Sequence, residues 1–341
     1  MRHRISAIEI ILKYCLPLVI SIGLCWLLFR DFDFRHMWRL VTTECDFRWI
    51  GLMLVVSVFS HVVRAMRWQI QLHALDVRAP LFYVVLSIFG TYAVNLVFPR
   101  LGEVWRTGYI AKRQNAPFAT VFGSMVADRL ADTITVLTLL LVTLALAGGK
   151  VDAYLSQSGA FYDTVRSLVA SPIVWGAIAA CVIAAWLVFA LRTQNAVVLK
   201  IRSGLKKLWQ GFSVVVRMPG LSRWLLLTLG IWGCYFLQFY ISFFAFPFTQ
   251  RVLIDNGGFM PALVGFVLSS IAMGVPSNGG IGPWQWAVIF ALGIYGLSGD
   301  EAGAFANVVL GCNTLLLIVL GLFTFSVIAL SRRSSRNARS H

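Results

Sequence analysis

The sequence predicts an all-α fold, a polytopic integral membrane helical bundle with two Pro/Gly-interrupted hairpins, and three observations lead to it. Hydrophobic residues make up 59% of the 341 positions and charged residues 13%, against about 45–50% and about 25% in soluble domains. Runs such as Ile10 to Phe29, Trp175 to Leu191 and Ala306 to Leu330 approach or exceed the roughly 20 apolar residues that a helix needs to cross about 30 Å of hydrocarbon. The polar joints between such runs sort into a set rich in lysine and arginine and a set poor in them.

Hydropathy gives the segments in order: Glu9 to Phe29, Trp49 to Val63, Leu81 to Phe98, Pro117 to Ala147, Pro172 to Leu191, Trp224 to Phe246, Phe259 to Val275, Pro283 to Leu297 and Gly303 to Leu330. These eight or nine apolar segments follow one another without a Pro/Ser-rich linker, so residues 1–331 read as a single transmembrane domain and residues 332–341 as a basic cytoplasmic tail. The first run has Arg2, Arg4 and Lys13 as a basic flank but no small-residue cleavage site before Asp31, which favours a retained helix over a signal peptide. Between Asn195 and Arg217, the apolar positions Val198, Ile201, Leu205, Leu208, Phe212 and Val215 recur every three or four residues among lysines and arginines. That pattern is an amphipathic interfacial helix at residues 195–217, lying on an anionic leaflet or recruiting a particular head group.

Of the 29 lysines and arginines, 22 fall in one set of joints and 7 in the other. The positive-inside rule then puts both termini in the cytoplasm of a bacterial inner membrane. Arg78 and Arg113 both belong to the basic set, so the segment before Pro99 must leave on the side it entered, as a cytoplasmic re-entrant hairpin. The later pair, Phe259 to Val275 and Pro283 to Leu297, fits either an external hairpin or two crossings.

Ionisable groups at membrane depth cost at least ~2.5–3.5 kcal/mol each on insertion scales, so those present should pair, face the interior or line a wet cavity. They gather in three places. Arg64 and Arg67, followed by Trp68, share a helical face suited to phosphate, or else snorkel as interfacial anchors. In Asn95-x-x-x-Pro99-Arg100-x-Gly102-Glu103-x-x-Arg106 the proline breaks one helix and opens another. Arg100, Glu103 and Arg106 then recur every three residues on one face, as a net-cationic site for an anionic head group or as an ion-pair network holding the hairpin. Asp128, Arg129 and Asp132 form the third group, with the two aspartates placed to pair with Arg100 or Arg106, as structural or functional partners.

Near the other end, Pro276-Ser-Asn278-Gly279-Gly280-Ile-Gly282-Pro283-Trp-Gln285 implies irregular backbone that must be sheltered by protein or line a cavity. It repeats the layout around Pro99: an apolar run, a proline, glycine and a restarted helix bearing a polar residue. Two interrupted segments in corresponding places are a pointer to a transporter-type site, and the two breaks are expected to meet.

Taken together, Arg64-x-x-Arg67-Trp68, the Asn95 to Arg106 stretch, Ser124-x-x-x-Asp128-Arg129-x-x-Asp132 and Pro276-x-x-Gly279-Gly280-x-Gly282 resemble the transmembrane region of lysylphosphatidylglycerol synthases, a family of flippase-like membrane proteins. Two positions depart from the family's pattern: Asp128 and Gln285 stand where glutamates are usual. The first keeps the charge, whereas the second loses it, which weakens any ion-coupling role there. In the two-part relatives a soluble aminoacyl-transfer domain follows the membrane region. Here the chain stops at His341, so the resemblance implies the translocating half without the synthase.

The expectation is therefore a lipid flippase or lipid transporter acting on an anionic or modified polar lipid. Anionic phospholipid head groups are its expected partners, a lipid-synthesis enzyme a possible one, and no nucleic acid, cofactor or metal is expected. The alternatives are a membrane-embedded lipid-dependent transferase with Glu103 or Asp128 as base, a small-solute secondary transporter, and a non-catalytic subunit of a lipid synthase. No nucleophile motif, metal set or nucleotide loop supports an enzyme. Five of the six cysteines lie in apolar segments and read as small core residues, only Cys45 sitting in a polar joint. His61 and His73 read as isolated structural or interfacial histidines. The sequence assigns no oligomeric state.

Overall fold

The computed structural model describes residues 34–157 and 218–337, with residues 171, 172 and 176. The expected first helix, nearly all of the Pro172 to Leu191 segment, the amphipathic helix at 195–217 and the end of the tail lie outside the described residues. Within them the regular structure is helical: α1 (Phe34–Glu44), α2 (Phe47–His73), α3 (Leu81–Val97), α4 (Leu101–Arg113), α5 (Phe118–Gln157), α6 (Leu221–Ser242), α7 (Pro247–Asp255), α8 (Met260–Ala272), α9 (Pro283–Gly293) and α10 (Gly299–Asn337), with a 3-10 turn at Phe243–Ala245.

Local signals start these helices. Asp46 accepts from the Arg48 backbone N–H (2.9 Å) at the head of α2. Prolines stand in the first turns of α7, α8 and α9, where a missing N–H costs nothing. Ser298 and Glu301 cap α10 reciprocally, Ser298 N donating to Glu301 (3.2 Å) and Glu301 N to Ser298 Oγ (3.3 Å).

Among the described residues, four stretches are long and apolar enough to cross a membrane: Phe47–His73, Phe118–Gly149, Leu221–Ala245 and Gly299–Ser331. Helices α7 and α8, which meet at 110°, pass the same test as a pair. The protein is therefore a multi-pass membrane protein. Long runs of exposed leucine, valine and phenylalanine on α5 and α10, such as Leu137, Leu141, Leu322 and Phe323, are the surface that lipid would cover.

Besides a smaller cluster of Ala147, Val252, Val264, Ala291 and Tyr295, the interior has, among the described residues, two large apolar cores. One joins the start of α2 to the ends of α6 and α9 and the head of α10, around Phe243, Phe246, Leu292 and Phe305. The other joins the second half of α2 to α3, α4 and the head of α5, around Trp68, Leu72, Ile88 and Ile110. Helices α3 and α4 form an antiparallel hairpin based in the second core. Helices α8 and α9 form another based in the first, their residues 265 and 291 packing side by side. Of these, α3 is about 26 Å long and α8 and α9 are about 20 and 17 Å, all short of the ~30 Å of a full crossing.

The tips of the two hairpins meet. Arg100, at the turn between α3 and α4, donates to the backbone carbonyls of Met273 (3.2 Å) and Gly274 (2.9 Å) at the end of α8. Arg100 itself is left-handed (φ 65°), a conformation that costs a side-chain-bearing residue about 1–3 kcal/mol and persists where its surroundings over-determine it. Gly279 (φ 64°) lies against Leu96, whose terminal methyl a Cβ would have to push aside.

Several expected boundaries move. Helix α2 continues past Val63 to His73, because Arg64 and Arg67 are paired inside the bundle and do not mark an exit. The new helix after Pro99 begins at Leu101, with Arg100 as its cap, so the proline ends α3 without opening α4. Helices α1 and α7 occupy stretches read as polar joints. Trp38, Leu40 and Val41 are apolar positions of α1, which packs on α10.

Candidate functional site

Between the two cores lies a layer of charge. Asp128 and Asp132 stand 10 and 14 residues into α5, roughly 15 and 21 Å along its axis, and both are buried. Arg67 Nη2 donates to Asp128 Oδ1 (2.6 Å) and Asp132 Oδ1 (2.8 Å). Arg64 Nη1 donates to Asp132 Oδ2 (2.8 Å) and reaches Asp128 Oδ2 at 3.5 Å. On α4, Glu103 takes Arg129 Nη2 (2.8 Å), and Arg106 approaches Asp128 at 3.5 Å. Four guanidiniums and three carboxylates thus form one connected cluster on α2, α4 and α5 among the described residues.

The neighbouring groups are polar or aromatic. Arg64 Nε donates to the Tyr235 hydroxyl (3.0 Å), which lies 3.4 Å from that of Tyr92. Thr228 accepts from Arg67 (3.3 Å). Three guanidiniums lie over aromatic rings: Arg106 over Trp68 (4.6 Å), Arg67 over Trp224 (5.5 Å) and Arg64 over Tyr235 (5.7 Å). The Trp68 indole donates to Ser124 (3.2 Å), fixing its ring under Arg106.

Arg64 and Arg67 are therefore internal partners of the two aspartates, not snorkelling anchors, and Asp128 and Asp132 pair chiefly with them rather than with Arg100. Nor do Arg100, Glu103 and Arg106 share a face. Arg100 precedes the helical screw of α4, and its left-handed backbone sends it to the opposite hairpin. The head of α4 is also less open to an anion than a bare helix start: Asn95 Oδ1 accepts from Gly102 N (2.8 Å), and Asn95 Nδ2 donates to Glu103 (3.2 Å).

The glycine-rich break is built in parallel. Gln285 Oε1 accepts from Gly282 N (3.0 Å), and its amide donates to Asn307 on α10. An amide side chain thus satisfies the first turn of each returning helix, Asn95 for α4 and Gln285 for α9. Pro276, Asn278 and Gly280 belong to the same tip as Gly279, which lies against Leu96 of α3, while Gly280 packs against Met273 and Trp284 of its own hairpin.

Sequence reasoning misses Tyr92, Tyr235, Thr228 and Trp224, and leaves His61 isolated. His61 is buried against Phe89 and Tyr92. A signal is present: Ser57, His61, Arg64, Arg67 and Gln71 recur every three or four residues along an otherwise apolar stretch. A polar stripe on a membrane helix marks the side turned to the protein.

A cleft of about 460 Å³, lined by Leu146, Ala147, Gly149, Asn256, Met260 and Tyr295, lies along α5 from the cluster, at its far end.

Helices of spanning length around a buried arginine–carboxylate layer define a polytopic membrane protein with an internal ionic site. The chain belongs to the lysylphosphatidylglycerol synthase TM region family, which it matches over residues 14–321. It is also 31% identical over 116 residues to Glycosyltransferase AglD of Haloferax volcanii, a stretch covering 33% of this chain and 19% of that protein. The match spans well under two thirds of that relative's length. No solved structure matches the chain.

Proposed function

We propose that this protein moves an anionic or modified polar lipid between the leaflets of a bacterial inner membrane, with both termini in the cytoplasm. In this reading α3–α4 and α8–α9 are re-entrant hairpins entering from opposite faces, and the charge layer between the cores receives the head group. One observation carries it: among the described residues the cluster holds more guanidiniums than carboxylates, on two helices of spanning length and the short α4, beside the junction of two helical hairpins too short to cross. A purely structural staple of ion pairs has no need of a surplus cation, which is costly to bury. Membrane lipids are the partners this implies, and a lipid-synthesis enzyme supplying the substrate fits the family.

The test is reconstitution. Purified protein in liposomes with trace tail-labelled phosphatidylglycerol should let an external quencher reach label beyond the outer-leaflet fraction. Arg129→Ala should slow that loss. Quenching that stops at the protein-free plateau would overturn the reading.

The similarity to a protein named as a glycosyltransferase favours a second reading, a membrane-embedded transferase. Against it, Glu103, Asp128 and Asp132 are each held by arginine, so none is a ready base. Product formation from a labelled glycosyl donor in detergent would decide for it.

A further inference from the structure

We propose that the charged layer is matched to one negative charge, and that its ligand is the phosphodiester of a monoanionic lipid head group held between Arg106 and Arg129. The inference rests on the lipid-transport reading and names the substrate class of that site.

The charge count is the first observation. Among the described residues the cluster holds Arg64, Arg67, Arg106 and Arg129 against Glu103, Asp128 and Asp132, a surplus of one cation. Arginine does not shed its proton in proteins, so the surplus is fixed. A buried charge is costly until something pairs with it.

The second observation locates the surplus. Arg64 and Arg67 are held by the aspartates at 2.6–2.8 Å, and Arg129 is held by Glu103 at 2.8 Å. Arg106 is fully buried, yet among the described residues none of its three guanidinium nitrogens has a hydrogen-bond partner. Its contacts are the 3.5 Å approach to Asp128 and the face of Trp68. This is a pre-positioned fork of donors with nothing to donate to.

The third is access. Arg129 is the open edge of the cluster, its side chain 31% exposed against 0–3% for the other three arginines. Its partner Glu103 stands one turn from Arg106 on α4, so a group taking the place of the Glu103 carboxylate lies beside both guanidiniums. A phosphodiester presents two equivalent oxygens, the geometry that arginine forks bind best. The other oxygen of Glu103 accepts from the Asn95 amide (3.2 Å), a partner that does not depend on Arg129.

The experiment varies both charges. Proteoliposomes would carry tail-labelled phosphatidylglycerol (one negative charge), phosphatidylcholine (none) or phosphatidic acid (approaching two at alkaline pH). The wild type should move phosphatidylglycerol roughly tenfold faster than the other two, a mismatched charge costing at least one factor of ten. Glu103→Gln adds one positive charge and should shift the preference to phosphatidic acid. Arg106→Gln removes one and should shift it to phosphatidylcholine. Arg129→Gln, at a partly exposed position, should shift it the same way even if Arg106→Gln does not fold. Equal rates for the three lipids, or variants that slow all three without reordering them, would overturn the charge match. Uptake of labelled glycerophosphoglycerol in place of lipid would keep the phosphodiester chemistry and overturn its lipid source. If no lipid moves, the transport reading falls by itself, and the charge match is then read from thermal stabilisation by dioctanoyl forms of the same lipids. Equal stabilisation would overturn it as well.

Discussion

Arg67 shows how much depends on single side chains in this layer. It is fully buried and holds both Asp128 and Asp132, so removing it leaves the two aspartates with Arg64 and the longer approaches of Arg106 to Asp128 (3.5 Å) and Arg129 to Asp132 (3.7 Å). Breaking a buried pair by deleting one partner costs about 3–5 kcal/mol, because the remaining charge is stranded. Arg67→Ala should therefore lower the yield of folded protein in detergent and its melting temperature, and a variant with wild-type stability would show the network to be dispensable. Arg100 is the contrasting case. It bonds two carbonyls through its fork and takes no part in the ionic layer. Arg100→Lys keeps the charge but cannot match that geometry, so expression should be near wild type while lipid translocation falls severalfold. Equal rates for the two proteins would count against any role for the junction in transport.

At the level of elements, the α3–α4 hairpin depends on the absence of a side chain at Gly102, where a Cβ would run into the Thr91 carbonyl and crowd the Asn95 amide. Gly102→Ala should cost about 1–3 kcal/mol by overpacking and also disturb the cap that Asn95 provides. Thermal unfolding monitored by tryptophan fluorescence checks this. Unchanged melting would mean the two helices can separate without loss. The same elements divide what a linear chain reveals from what it hides. The apolar runs of α3, α5, α6 and α10, the breaks at Pro99 and Pro276, and the arginine and aspartate motifs are legible in the sequence, because spanning length and helix breakers act through composition and local sterics. The length of α2 is not, because hydropathy counts Arg64 and Arg67 as surface whatever lies opposite them. Their carboxylate partners stand 61 to 68 residues away on α5, and pairing across that distance leaves no local mark. Likewise the assignment of Arg100 to the other hairpin depends on one left-handed backbone that the motif spacing, read as continuous helix, conceals.

For the molecule as a whole, the proposed arrangement has testable sidedness. The joint carrying Arg78, the joint after Arg113 and the tail after Leu330 should face the cytoplasm, and the turns at Gly257 and Ser298 the opposite side. Single cysteines at Arg78, Asn115, Gly257 and Ser298 should label with a membrane-impermeant maleimide in that pattern, and a tail labelled from outside the cell would refute it. The native Cys45 should give little background. Its thiol is partly buried and pushed up to about 11, chiefly by desolvation, with Cys312 and Asp46 adding to it, and only the thiolate reacts quickly. Two cores separated by an ionic layer also suggest how such a molecule changes state: apolar clusters move as rigid bodies more readily than they repack.

The contact between hairpin tips has a last consequence, for how this protein would vary through descent. Arg100 is received by main-chain oxygens, and every residue type supplies one of those. Replacing Met273 by leucine or isoleucine therefore leaves the acceptor where it was, and no matching change at Arg100 is called for. The two ends of the gene can drift independently at the place where their products touch, so coupled substitutions between homologous sequences should be weak across this junction and strong between Arg67 and Asp128. A pair of positions bound most directly in space would then be silent in the record of mutation, with one partner held fixed and the other free.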